Sequence, residues 1–92
     1  MLVRPARTVV KPTRPVELTR KELAVLQALM RRPGIVLSRQ ALLTAVWGRE
    51  APVSANLLEQ YVARLRRKLD VPFGSSDIET LPRVGYRIRS PR

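Results

Sequence analysis

The stretch Val62-Ala-Arg-Leu-Arg-Arg-Lys-Leu69 packs four cations into the five positions from Arg64 to Lys68 and sets leucines among them. A soluble chain buries leucine and solvates arginine, so the segment must divide the two between opposite faces. On a helix of about 100° per residue it does so. Extended back to Asn56, the stretch places Leu58, Val62, Leu65 and Leu69 at spacings of four, three and four, which is one apolar stripe. The opposite side carries Asn56, Gln60, Ala63, Arg64 and Arg67. Glu59 and Arg66 flank one edge of the stripe, and Leu57, Tyr61 and Lys68 flank the other. A basic helix taken alone is as often a merely solvated one. Asn, Gln and Arg around a small alanine, however, are the side chains that match adenine and guanine edges in a major groove.

The composition sharpens this choice. Ninety-two residues allow one domain with a single modest core. At 45% hydrophobic the chain is of globular type, and with only 4% aromatics Leu, Val and Ile must fill the core. Eighteen Lys and Arg against seven Asp and Glu leave a net charge of +11, which points to a polyanion. Nucleic acid comes first and an anionic membrane surface second. A charge-driven RNA or ribosome binder would have the same balance and is the alternative. It would want clustered stacking aromatics, whereas Trp47, Tyr61, Phe73 and Tyr86 are scattered.

Other classes fall away. Without His or Cys there is no zinc site and no His-based catalytic dyad, and the lack of Cys suits a reducing compartment. The carboxylates form no paired motif, and Pro33-Gly-Ile-Val-Leu-Ser38 is not a phosphate-binding loop. Neither enzyme activity nor a metal or other cofactor is expected. No apolar run approaches the roughly 20 residues of a membrane span, and the first residues lack the apolar core of a signal peptide. A cytoplasmic location is the expectation.

Upstream of the basic helix the chain punctuates itself. Residues 1–18 contain Pro5, Pro12 and Pro15, and their short β-branched runs around the turn Lys11-Pro-Thr-Arg14 predict a small antiparallel meander. Thr19 with Glu22 three residues on has capping-box spacing, and Leu18 with Leu23 that of a hydrophobic staple. This first helix should run to about Met30 with Leu23, Leu26 and Met30 inward, ended by Arg31-Arg-Pro-Gly34. Ser38 caps a second helix, with Leu37 and Leu42 as staple and Gly48 as stop. After the loop Arg49 to Ser54, the third helix opens near Ser54 or Asn56 and continues to about Leu69. Residues 70–77 read as loop. Ile78–Leu81 and Tyr86–Arg89 then read as two strands around Pro82-Arg-Val-Gly85. The fold class is therefore α+β, a helix-turn-helix with a hairpin wing. Its parts are leading strands over 1–18, a three-helix core over 19–69 and a hairpin over 77–90.

Three blocks in this order, Glu17 to Gly48, Asn56 to Leu69 and Val84 to Arg89, resemble the winged-helix DNA-binding domain of OmpR/PhoB-type response regulators. The similarity covers about Pro15 to Arg89. It implies sequence-specific binding of double-stranded promoter DNA, with the helix from Asn56 to Leu69 in the major groove. Asn56, Gln60 and Arg64 match positions that face bases, and Glu59 one that accepts from cytosine N4. Arg66, Arg67 and Tyr61 match positions near phosphates, and Ala63, Lys68, Thr80, Arg83 and Arg87 complete the implied DNA-binding set. Trp47 matches a family Trp-Gly pair whose indole N–H can meet the backbone, and an aromatic at the edge of the core is the equal alternative. The loop Arg49 to Ser54 matches the segment through which family activators touch RNA polymerase, and a plain connecting loop is the slightly favoured alternative. A receiver domain, absent from these residues, and a tandem dimer on DNA are further partners the resemblance implies. Two departures stand out: Tyr61 replaces a frequent His, and Pro82 occupies the usual wing Arg position, with Arg83 one residue later.

Overall fold

A computed structural model describes residues 2–4, 8–10, 15–49 and 54–89. Strands β1 (Leu2–Arg4), β2 (Thr8–Val10) and β3 (Pro15–Glu17) form an antiparallel sheet in that order, with Val9 opposite both Val3 and Val16. The expected turn over residues 11–14 lies outside the described residues. Helix α1 (Arg20–Met30) follows, then the two-residue strand β4 (Leu37–Ser38) and helix α2 (Arg39–Trp47). Helix α3 spans Ala55–Leu69, and β5 (Ile78–Leu81) and β6 (Gly85–Ile88) form the hairpin.

Local chemistry explains the helix starts. The Thr19 hydroxyl accepts from the Glu22 N–H at 3.3 Å, while the Thr19 N–H donates to Glu22 Oε1 at 2.9 Å, a complete capping box. Ser38 Oγ accepts from the Ala41 N–H at 3.0 Å, and Gly48 ends α2 at φ 89°, where a side chain would be strained. Helix α3 is capped at Ser54 without a side-chain hydrogen bond, so Asn56 is already helical and caps nothing.

The core joins all three helices to the hairpin. Leu26 and Leu29 of α1, Leu42 of α2 and Leu58, Val62, Leu65 and Leu69 of α3 are buried, with Ile78, Tyr86 and Ile88 from the wing. Each fully buried leucine contributes about 1.5–3 kcal/mol relative to exposure. The α3 stripe is as expected. The α1 stripe is not: its buried face is Glu22, Val25, Leu26, Ala28 and Leu29, and Leu23 and Met30 are only partly covered at its margin. Apolar residues surround α1 almost completely, so periodicity leaves two stripes one residue apart, and packing chooses between them.

Three smaller corrections concern the carboxy-terminal half. Val71–Phe73 forms one turn of 3-10 helix inside the expected loop. The second hairpin strand is Gly85–Ile88 rather than Tyr86–Arg89, although the Arg89 N–H still donates to Asp77 O at 2.7 Å. A third strand, β4, also joins this sheet, pairing Leu37 with Tyr86 and Ser38 with Gly85, so the sheet order is β4-β6-β5.

A half-buried ion pair clamps α3 to α1. Lys68 Nζ lies 2.6 Å from Glu22 Oε1, where Glu22 is nearly fully covered and Lys68 is partly open. Burial pushes the Glu22 carboxyl up. The Lys68 hydrogen bond and charge, with the Thr19 bonds, more than offset this and leave it below the usual carboxylate range. Lys68→Met leaves that carboxylate buried without its cation and should cost about 1–2 kcal/mol, less than a fully buried pair would. The sign with pH follows from linkage. A lowered folded pKa means that the unfolded chain binds more protons, so the contribution is complete above about pH 4.3 and fades as pH falls through the lower folded value. Urea midpoints against pH should therefore show a shallower acid limb for Lys68→Met than for the wild type.

Candidate nucleic-acid interface

The outward face of α3 is built by the burial of its inward one. With Leu58, Val62, Leu65 and Leu69 at essentially zero exposure, helical geometry turns Asn56, Glu59, Gln60, Ala63, Arg64 and Arg67 to solvent, and all six are exposed. These residues form one polar and basic strip without a bulky apolar side chain. Arg66, Arg67 and Lys68 occupy the last turn of α3, where cations also complement the helix dipole.

Aromatic side chains organise the strip at one edge. The Arg64 guanidinium lies over the Tyr61 ring, 5.0 Å from its centroid. Tyr61 in turn meets Trp47 of α2 edge to face, with centroids 5.4 Å apart and planes at 62°. Lys21 of α1 stands 5.7 Å from the Trp47 centroid and donates to Val46 O at 3.2 Å. Among the described residues Trp47 thus takes the second of its two expected roles, a partly buried aromatic at the edge of the core held by ring contacts. Lys21 was not singled out from the sequence, since nothing local links it to a ring 26 positions away.

Other members of the expected set are bonded within the protein. Arg66 is half-buried: its Nε donates to Ile78 O at 3.1 Å and its Nη2 donates to Thr80 Oγ1. Lys68 holds Glu22, as described. Arg87 Nε pairs with Glu79 Oε1 at 2.7 Å across the hairpin. Glu59 lies 3.8 Å from the Arg39 guanidinium of α2, an open pair of little strength.

The wing projects Arg83. The Val84 N–H donates to Leu81 O at 3.0 Å, closing a turn with Pro82 at its second position and Arg83 at its third. Arg83 itself adopts the positive φ of 66° that this turn demands, so the left-handed residue is Arg83, and Gly85 does not take that conformation. Arg83 is exposed at the tip. Residues 50–53, in the loop expected to meet RNA polymerase, lie outside the described residues. Among the described residues no group of His, Cys, Asp and Glu could hold a metal ion, and no helix is long and apolar enough to cross a membrane.

Comparison with known proteins places this architecture. Residues 13–88 match the family described as "Transcriptional regulatory protein, C terminal". Transcriptional regulatory protein TcrA of Mycobacterium tuberculosis is 42% identical over 74 residues, covering 80% of this chain and 29% of TcrA. The carboxy-terminal domain of the nisin resistance regulator NsrR, a lantibiotic response regulator, superposes with a TM-score of 0.83 at 28% identity, over 99% of this chain and 93% of that one. The DNA-binding domain of Bacillus subtilis CssR gives a TM-score of 0.81 at 30% identity, over 96% and 97%. The chain spans about a third of the length of the curated relatives it matches. The family match runs through both the helix-turn-helix and the wing, and the chain belongs to the carboxy-terminal winged-helix DNA-binding domains of OmpR/PhoB-type transcriptional regulators.

Proposed function

We propose that these 92 residues act as one effector unit that binds double-stranded promoter DNA in a sequence-specific way. In this reading α3 lies in the major groove. The observation that carries it is the exposed strip of Asn56, Gln60, Ala63 and Arg64 on a helix whose other face is locked into the core. Asn56, Gln60 and Arg64 meet purine edges and Glu59 a cytosine amino group, with Ala63 allowing close approach. Tyr61 and Arg67 lie beside phosphates, and Arg83 reaches towards the neighbouring minor groove. The net charge of +11 supports the electrostatic part of the binding.

Relatives named response regulators, of which this chain covers about a third, support a cytoplasmic regulator that works with a receiver domain. Tandem dimerisation on DNA and contact with RNA polymerase through the loop Arg49 to Ser54 belong to the same reading.

Binding titrations test it. If roughly five phosphates are neutralised, log K should fall against log salt with a slope of about −4 to −5. Duplex DNA should be preferred to single-stranded RNA. A salt-insensitive complex, or a preference for the RNA, would return the chain to the charge-driven alternative. Arg83→Ala should weaken binding more when the flanking base pairs are A·T than when they are G·C, because a narrow minor groove attracts arginine. Equal loss on the two flanks would reduce Arg83 to a phosphate contact.

A further inference from the structure

We propose that Arg66 is a positioning residue that fixes the wing to the recognition helix, and that it does not serve as a phosphate contact. The inference rests on the DNA-binding reading for its consequence, but its geometry is independent of DNA.

Arg66 differs from its neighbours. Arg64 and Arg67 are exposed, whereas Arg66 lies at the edge of the apolar stripe and is half-buried against the hairpin. Its guanidinium offers donors in a fixed planar fork, and two of them are occupied by Ile78 O and Thr80 Oγ1. Both acceptors belong to β5, and the same edge of the fork serves both. One turn on, at the carboxy-terminal cap of α3, the buried Asp70 accepts the Ile78 N–H on Oδ2 at 3.2 Å and the Ser75 hydroxyl on Oδ1 at 3.3 Å. The backbone N–H and C=O of Ile78 are therefore held by Asp70, which caps the end of α3, and by Arg66 within it, one anionic and one cationic. Asp70 anchors the start of β5, and Arg66 extends the attachment two residues towards the turn at Pro82 and Arg83.

This arrangement has a functional meaning. A wing that must deliver Arg83 to the minor groove while α3 reads the major groove needs a set distance between the two. Ile78, Tyr86 and Ile88 seat the base of the hairpin in the core and β6 pairs with β4, but neither contact ties β5 to α3 at Thr80, next to the turn. A charge-assisted, two-point bond from the recognition helix adds that hold, and its rigidity lowers the ordering cost of binding. Lysine could not replace it, since an ammonium lacks the planar fork that reaches both acceptors.

The experiment uses two readouts. The chain has no cysteine, so Gln60→Cys and Val84→Cys carry spin labels at unique sites on α3 and the wing. In free protein the label-to-label distance distribution should be narrow in an otherwise wild-type background and wider with Arg66→Ala. Unlabelled Arg66→Ala should bind duplex DNA about tenfold more weakly, the loss expected for a hydrogen bond to a charged group. Its salt slope should equal that of the wild type, because no counterion-releasing contact is removed. Thr80→Val keeps the cation and the strand propensity, and should reproduce the widening in part, so the idea stays testable if Arg66→Ala folds poorly. An unchanged distance distribution in both variants overturns the proposal. So does a slope reduced by about 0.9, the signature of one lost phosphate contact. If wild type fails to bind duplex DNA, the proposed function falls, while the distance measurement still judges the strut.

Discussion

Gly85→Ala should destabilise the domain by about 3 kcal/mol, the upper end of what overpacking costs, and should detach β4 from the wing. A Cβ built on Gly85 would lie 1.9 Å from Leu37 O and 2.8 Å from Leu37 C. Both are backbone atoms of β4, so no side-chain rotation relieves the clash. Either β4 or β6 must move. Movement of β6 drags Tyr86 and Ile88 out of the core, whereas movement of β4 displaces Ser38, which caps α2. The midpoint of urea unfolding should fall, with early loss of amide protection at Tyr86. A variant as stable as wild type would show that the close approach of the two strands is not needed.

Leu65→Ala should cost about 2–5 kcal/mol, a large part of the 5–15 kcal/mol that a domain of this kind has in hand. Leu65 is fully buried among the three helices and stands between Arg64 and Arg66, so one position separates a core role from a surface one. Its loss leaves a cavity in the core. Arg67→Ala, two residues away and exposed, should leave stability within about 0.5 kcal/mol. Thermal unfolding of the two variants checks the contrast. Equal stability losses would mean that the leucines and cations of α3 do not divide as described.

Much of the fold was legible because its determinants are local. Thr19, Ser38 and Gly48 mark helix ends through bonds and dihedral angles within four residues, and the α3 stripe follows from spacing alone. Elements fixed by distant partners were not legible. β4 has two residues and exists because Gly85, 47 positions after Ser38 and paired with it, lets a backbone pass close by. Glu22 reads as an ordinary capping residue, and nothing nearby in sequence reveals that Lys68 covers it from 46 positions away. The same limit applies to the candidate interface. Sequence places Arg64 and Arg67 opposite the leucines and Arg66 and Lys68 at the edges of the stripe, but it does not reveal the partners, Thr80 and Glu22, that hold the two edge cations. The positive φ of Arg83 was hidden for another reason: a turn with glycine nearby suggests that glycine takes the left-handed position, and here Pro82 sets the turn one residue earlier.

The central claim is that the exposed strip of α3 reads bases, and selection from a random duplex pool tests it most directly. Wild type, Gln60→Ala and Arg64→Ala would each be used to enrich the pool, and the bound duplexes sequenced. Wild type should enrich one defined motif. Each variant should keep most of that motif and lose preference at its own base pairs, by about 1–3 kcal/mol per bidentate contact. If wild type enriches no motif, or if both variants weaken every position equally, α3 is an electrostatic surface and does not read sequence.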